Sequence, residues 1–514
     1  MRLYHLFTIL IFHINFINSL IIPTSFNHFQ SLFSYQTSVS SFDDWLSFEK
    51  QICINSILGN IGGEYSINKD LLPGVIIASP STSFPNYYYQ WTRDSAITLN
   101  LIVDQVYKNP KNTSLINIIE AYIENTMKLQ KIPNRSGGVD DYSNLGEPKF
   151  EVNLSNFDQN WGRPQRDGPG LRSISIMKYL DFLSDHGLPV TNTNTLHNAS
   201  YIYHEVIKPD LMYNVKYWNS KGFDLWEEIE DYHFFTSLIQ LKSLSNGLEI
   251  AKQFNDSLTF QSLLNDSISN LEKFINNDAG FINPYKPYIV SAPTIYQNNK
   301  RNGLDIATIL ASLYTHELTN SSVIIPFDID NGYVLTTLSS LIADMKIRYP
   351  INLQDNLLGV ALGRYPEDVY DGYQQTEGNP WFISTATASE FIYRLIHKLR
   401  INQQDIVINN SNIDFFKPFI NIETENSNEN GGLEDEVLVI KYGTKTYDVI
   451  MSKLFSYSDG FLKVIQKHID SDGSISEQFN KYIGFMQGAK KLTWSYHSLY
   501  SAIAWRETVL GLAE

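Results

Sequence analysis

The segment Gly222-Phe223-Asp224-Leu225-Trp226-Glu227-Glu228 sets two adjacent carboxylates beside an indole. A carboxyl buried against Trp226 would lose the hydration of its charged form, which raises its pKa towards that of a general acid. The same residues also suit the acidic first turn of a helix starting near His233, where the macrodipole favours negative charge. Far downstream, Asp472-Gly473 signals a turn, and Ser474-Ile475-Ser476-Glu477-Gln478-Phe479-Asn480 follows it. Glu477 has few local charges and falls in a loop between helices, where a lone carboxylate is most simply a solvated surface group. Cleavage of a glycosidic bond requires two carboxyl groups flanking the bond. One protonates the leaving oxygen, and the other attacks the sugar or activates water. Glu227 and Glu477 are the candidates for that pair, because each lies among aromatic and amide groups. Their sequence separation fixes no distance.

Three further segments have the chemistry to hold a sugar. Tyr87-Tyr88-Tyr89-Gln90-Trp91-Thr92-Arg93-Asp94 puts a guanidinium and a carboxylate directly after an aromatic run. Such pairs hydrogen-bond vicinal hydroxyls, while aromatic faces pack on the apolar face of a pyranose. Trp161-Gly162-Arg163-Pro164-Gln165-Arg166-Asp167-Gly168-Pro169 and Gly363-Arg364-Tyr365-Pro366-Glu367-Asp368-Val369-Tyr370 repeat the pattern. Each alone could be a turned loop stapled by Arg–carboxylate pairs. Several in one chain favour a common site.

The elements that position these loops read as helices. Leu115, Ile116, Ile118, Ile119, Tyr122, Ile123, Met127 and Leu129 form an apolar stripe, and similar spacing recurs near 171–184, 234–254, 258–275, 304–315, 335–347, 383–398, 450–468 and 492–510. About a dozen helical segments result. Strand-like alternation is best at 436–441. Long loops at 73–92, 132–170, 363–381 and 471–490 are too aromatic for disorder, whereas 426–432 reads as a flexible surface insertion. The expected fold class is all-α, with helices closed into a toroid and the site on one rim; a two-domain helical protein fits the periodicity equally well.

Composition narrows the partners. The 514 residues carry 39 Lys and Arg against 55 Asp and Glu, a net charge of −16, and no long basic run. Nucleic acid is therefore a poor partner. The 13% aromatic content suits a neutral polar ligand. The single cysteine, Cys53, excludes an intrachain disulfide and any Cys-based metal centre, and the scattered histidines offer no metal motif. No cofactor and no metal are expected.

Taken together, seven segments in order resemble the fungal and yeast glucoamylases of glycoside hydrolase family 15. They are residues 89–95, 161–169, 222–228, 363–370, Gly-Asn-Pro-Trp-Phe at 378–382, Ser-Glu-Gln-Phe at 476–479 and Leu-Thr-Trp-Ser-Tyr at 492–496. The resemblance spans roughly residues 45–510. It implies an (α/α)6 barrel, and an exo-acting, inverting hydrolase that releases glucose from non-reducing ends of α-1,4-glucans and acts more slowly on α-1,6 links. Glu227 matches the family's general acid and Glu477 its general base. Tyr87, Arg93, Asp94, Trp161, Leu225, Trp226, Glu228, Arg364 and Trp494 match positions lining the first subsites. Arg93, Asp94 and Arg364 would grip the terminal glucose, Trp161 would cover the second sugar, and Glu228 would contact the sugar beyond the scissile bond. The disulfides, Ser/Thr-rich linker and starch-binding domain of the best-known fungal members have no counterpart here, so weak action on starch granules is expected. A related toroid hydrolase acting on dextran or trehalose, or a non-catalytic glucan-binding protein, are the alternatives.

Residues 1–22, with Arg2 ahead of a short apolar core, read as a signal peptide. An extension follows at 23–45 and a catalytic domain at 46–514. Sequons at Asn112, Asn134, Asn153, Asn198, Asn255, Asn265, Asn320 and Asn409 fit the secretory pathway. Secretion is expected, with the vacuole or cell wall as the alternative. No integral membrane segment is expected after cleavage, and the protein is expected to be a monomer.

Overall fold

The apolar stripe at 115–129 becomes a helix over Thr113–Leu129, opened by the Asn112 side chain, which accepts from the Leu115 N–H at 3.2 Å. The computed structural model describes residues 41–316, 324–354, 356–420 and 437–511. The chain divides into two units, Met1–Glu49 and Lys50–Glu514. Of the first, only residues 41–49 are described, as the opening turns of a helix. The leader at 1–22, the extension as far as residue 40, Asn320 and the insertion at 426–432 lie outside the described residues.

Twelve helices of nine residues or more occur among the described residues. They are α1 Phe42–Gly59, α2 Thr92–Lys108, α3 Thr113–Leu129, α4 Gly168–Asp185, α5 Lys208–Tyr217, α6 Phe234–Gln253, α7 Leu258–Lys273, α8 Ala307–Thr315, α9 Gly332–Arg348, α10 Phe382–Ile401, α11 Lys445–His468 and α12 Thr493–Leu510. The even-numbered helices pack in sequence, α2 on α4, α4 on α6, α6 on α8, α8 on α10 and α10 on α12, and α12 returns to α2. This closes an inner ring of six. The odd-numbered helices from α3 to α11 lie outside it, each against an inner helix, and α5 against two, α4 and α6. The second unit is an (α/α)6 toroid.

Side-chain patterning explains the two layers. Outer α3 buries Leu115, Ile116, Ile119 and Ile123 and leaves its opposite face wet. Inner α6 is buried without a break from Phe234 to Ser245, so it must be accommodated on every side. Several of its polar residues find partners in neighbouring helices. Ser243 bonds Ser173 of α4 at 2.7 Å and accepts from Asn214 of α5 at 2.9 Å. A buried ion pair joins inner to outer layer: Arg172 of α4 holds Asp210 of α5 through two hydrogen bonds of 2.8 and 2.6 Å.

Among the described residues, strands occur only as short antiparallel pairs in the connections. β1 (Gln90–Trp91) pairs with β2 (Lys149–Phe150), β3 (Gly222–Phe223) with β4 (Glu230–Asp231), β5 (Ile406–Ile408) with β6 (Leu438–Ile440), and β7 (Ser476–Phe479) with β8 (Met486–Lys490). The alternation at 436–441 supplies β6. The 471–490 connection, expected as a loop, carries the β7–β8 hairpin. Among the described residues no helix is long and apolar enough to cross a membrane. Of the sequons, Asn153, Asn198, Asn255 and Asn265 are exposed, while Asn112, Asn134 and Asn409 are half-buried.

Candidate active site

The long connections precede the inner helices, so their residues gather at the N-terminal ends of the inner ring. Arg93 and Asp94 open α2, Trp494 opens α12, and β7 lies just ahead of α12. Tyr87, Arg93, Asp94, Trp161, Leu225, Trp226, Glu227, Glu228, Arg364, Glu477 and Trp494 all line one cavity of about 410 Å³. The sequence therefore names eleven walls of a single pocket.

Glu227 sits at the tip of the β3–β4 hairpin, not in a helical turn. Asp224 builds that tip: its Oδ1 accepts from the N–H groups of Glu228 at 2.7 Å and Ile229 at 3.0 Å. Glu227 itself takes φ +68°, a left-handed backbone that is unfavourable for a residue with a Cβ and that clusters at functional sites. Its carbonyl comes so close to Gly162 that a Cβ there would meet it at 2.9 Å, and Phe223 at 2.7 Å. No hydrogen bond joins its carboxyl to Trp226, although both line the cavity. Trp226 instead donates to Asp305 at 3.0 Å and stacks on Trp494. Glu227 Oε1 accepts from Trp91 Nε1 at 2.6 Å and Gln165 Nε2 at 2.9 Å, and Arg93 lies 3.7 Å from the same oxygen. All three of these groups fall on one carboxyl oxygen, so Oε2 is left for a partner in the cavity that Glu227 lines.

Glu477 is neither solvated nor in a loop. It lies on β7, 1% exposed, with Oε1 accepting from the Tyr87 hydroxyl at 3.0 Å and Oε2 facing the Tyr370 hydroxyl at 3.4 Å. Burial pushes its carboxyl up to about 8, against the Tyr87 hydrogen bond and the Arg364 charge. Room for it depends on Gly488 of β8, at φ +75°, where a Cβ would fall 2.2 Å from Glu477 Oε2.

The remaining walls are cross-braced. Arg93 donates to Gln165 at 2.9 Å and pairs with Asp167 and Asp94 at 3.3 Å each. Burial is the main reason that Asp94 is raised to about 6, with Glu227 and Asp167 adding to it and Arg93 opposing. Arg364 holds Asp368 through bonds of 2.8 and 2.6 Å and reaches Glu228 at 2.7 Å. Glu228 also binds Arg301 at 2.7 Å and the Tyr365 hydroxyl. Burial pushes Glu228 up, but Arg364, Tyr365 and Arg301 outweigh it and hold the carboxylate below its usual range.

Several contributors escaped the sequence reading of individual residues. Trp91 and Gln165 lie inside quoted segments, yet only the structure assigns them to Glu227. Tyr370 and Trp381 line the pocket. Lys149 had no signal at all: its ammonium is caged by Tyr89, Trp91, Phe157 and Trp161, with Trp161 nearest at 3.2 Å to the ring centre. Burial lowers its pKa to about 8.

Comparison with known proteins agrees with this geometry. The sequence profile of the glycosyl hydrolases family 15 matches residues 51–504. The chain belongs to that family. It is 41% identical to glucoamylase GLU1 of Saccharomycopsis fibuligera over 94% of both chains. It is 39% identical to the intracellular sporulation-specific glucoamylase of Saccharomyces cerevisiae, over 92% of this chain and 85% of that one. The solved Saccharomycopsis fibuligera glucoamylase superposes with a TM-score of 0.87 over 92% of this chain and 97% of the other. As a family 15 member the protein is an enzyme, a glycoside hydrolase of the glucoamylase type.

Proposed function

We propose that this enzyme releases β-D-glucose from the non-reducing ends of α-1,4-linked glucans by inversion at the anomeric carbon, and acts more slowly at α-1,6 links. The observation that carries this reading is the pocket with Glu227 and Glu477 in one wall set and Arg93, Asp94 and Arg364 among the others. Glu227 Oε2 gives its proton to the glycosidic oxygen as the bond to the anomeric carbon breaks. Glu477 takes a proton from a water that attacks that carbon from the opposite face. The product is then the β-anomer. Arg364 is bound to Asp368 and Glu228 through Nε and Nη2 only, so Nη1 is left for a sugar hydroxyl. Asp94 Oδ2 is ion-paired with Arg93 Nε at 3.3 Å but makes no hydrogen bond, and it supplies an acceptor. Trp161, 39% exposed at the mouth, offers a face for the second sugar.

The test is glucose release from maltose, maltoheptaose, isomaltose, trehalose and soluble starch, with the anomer read by NMR of fresh product. β-Glucose from the maltooligosaccharides is expected. Initial α-glucose would overturn inversion, and a preference for trehalose or isomaltose would reassign the substrate. Glu227→Gln and Glu477→Gln should each lower kcat by ~10²–10⁴-fold with KM little changed. In this reading the protein is a monomer that passes through the secretory pathway and carries glycans at exposed sequons such as Asn153 and Asn265. The mass of exported protein before and after endoglycosidase treatment tests the glycans.

A further inference from the structure

The catalytic pocket occupies only the N-terminal ends of the inner helices. Their later turns surround a second cavity of about 660 Å³, a volume within the range of small-ligand sites. Its walls come from α2 at Asn100, Asp104 and Tyr107, from α4 at Lys178, from α10 at Glu390 and Arg394, and from α12 at His497, Ser501 and Trp505. Tyr314, at the end of α8, lines it too. The Tyr314 hydroxyl accepts from Trp494 Nε1 at 2.8 Å, so a single layer of side chains parts this cavity from the catalytic one.

A void left by imperfect packing would be apolar and dry. These walls mix apolar groups such as Ile97, Leu101, Leu171, Ile174 and Leu313 with polar ones, Asp181 and Asp185 among them, and both cations, Lys178 and Arg394, are paired. Lys178 Nζ bonds Asn100 at 2.8 Å and pairs with Asp104 at 2.7 Å. Arg394 pairs with Glu390 at 3.3 Å and donates to the Leu313 carbonyl at 2.8 Å. His497 Nδ1 and Arg394 Nε have no hydrogen-bond partner, on side chains that are 8% and 5% exposed as residues and that line the cavity. Burial, with the Lys178 charge nearby, holds His497 down at about 4, so its ring is uncharged at neutral pH. Buried groups of this kind require a partner that both donates and accepts. Trp505 and Tyr107 add aromatic surface of the sort that packs on the C–H face of a ring.

We infer that this cavity is a second binding site, for a neutral polyhydroxylated guest of mono- to disaccharide size. An anion would have to break the Lys178–Asp104 or Arg394–Glu390 pair and would face Asp181 and Asp185 besides, and a cation, which those two carboxylates could balance, cannot accept from Arg394 Nε, whereas hydroxyls satisfy His497 and Arg394 and leave both pairs intact. The guest binds by hydrogen bonds and stacking, and no bond of it is made or broken there.

The test places a reporter in the cavity. Cys53, the one native cysteine, is buried, so Ser501→Cys introduces a reactive thiol against a slow background. Its alkylation by iodoacetamide is followed with increasing D-glucose or maltose. Protection should saturate, and at ten times Kd, where about nine-tenths of the sites are filled, the rate should fall about tenfold. The midpoint should be unchanged when Glu228→Gln is added in the other pocket. Ser184→Cys, at an exposed position of the same cavity, serves if Ser501→Cys folds poorly. Protection by neither sugar at either position would overturn the inference. So would protection by a diamine alone, which would mark a cation site, or a midpoint that moves with Glu228→Gln, which would put the sugar in the catalytic pocket.

Discussion

Burial drives the Glu477 carboxyl up to about 8, and the Tyr87 hydroxyl and Arg364 pull against it. The role of base proposed for Glu477 requires the ionised form, which these two groups favour. Removing the hydrogen bond with Tyr87→Phe raises the pKa further, and the acidic limb of the kcat/KM profile should move to higher pH; an unmoved limb would show that Tyr87 does not bear on the base. Glu477 also shapes stability. Its folded pKa lies above the ordinary 4.5, so its favourable contribution is complete below 4.5 and is lost as pH rises through about 8. Asp94 at about 6 and Asp305 at about 7 slope the same way. Glu477→Gln cannot ionise, so its melting temperature should gain on the parent progressively from pH 5 to 9 in calorimetric scans. A gain that is flat with pH would contradict the linkage.

At the scale of elements, the β3–β4 hairpin is held by one carboxylate. Asp224 gathers two N–H groups and so fixes the left-handed turn that carries Glu227. Asp224→Ala should lower kcat about 10²-fold, the order expected for a catalytic group displaced by ~1 Å. Asp224→Asn keeps an acceptor and should lose much less. Steady-state kinetics on the two variants decide it, and equal losses would point to charge instead of geometry. The motif around Asp224 was legible in the sequence, but this bracing role was not, because an Asp before Leu-Trp reads the same whether or not it closes a turn. Outer helices such as α3 were legible because one apolar face gives a clean 3.6-residue period. The inner ring was harder. Stretches such as Ser384-Thr385-Ala386-Thr387-Ala388-Ser389 are buried on all sides with little apolar surface, so periodicity locates the helix without saying what surrounds it. Lys149 lay beyond reach, since its aromatic cage draws on two separate segments, one with Tyr89 and Trp91 and one with Phe157 and Trp161, that only the fold brings together.

Across the molecule, the two layers are pinned by groups that tolerate no half-measures. Arg172 and Asp210 are both buried, and burial pushes Asp210 up even with Arg172 against it. Gln130, just past the end of α3, donates to the same carboxylate at 3.0 Å. Arg172→Met strands that charge and should destabilise by ~3–5 kcal/mol. The double variant Arg172→Met with Asp210→Leu should recover most of the loss, since an apolar pair of similar volume is often as stable as the ion pair it replaces. Denaturant melts of both variants measure this, and a double variant no better than the single one would mean that the pair is required in its own right.

The closure of α12 against α2 has a bearing on how the protein is made. The Tyr87 hydroxyl and the Glu477 carboxylate it steadies are 390 residues apart in sequence. During synthesis the N-terminal helices leave the ribosome long before β7 and α12 exist, and domains of this size gather structure as they emerge. Arg93 and Asp94 then wait on an open arc of helices, with the seat of Trp494 empty. The pocket is therefore complete only when the last helix docks, and a chain halted before β7 has the proposed acid without the proposed base.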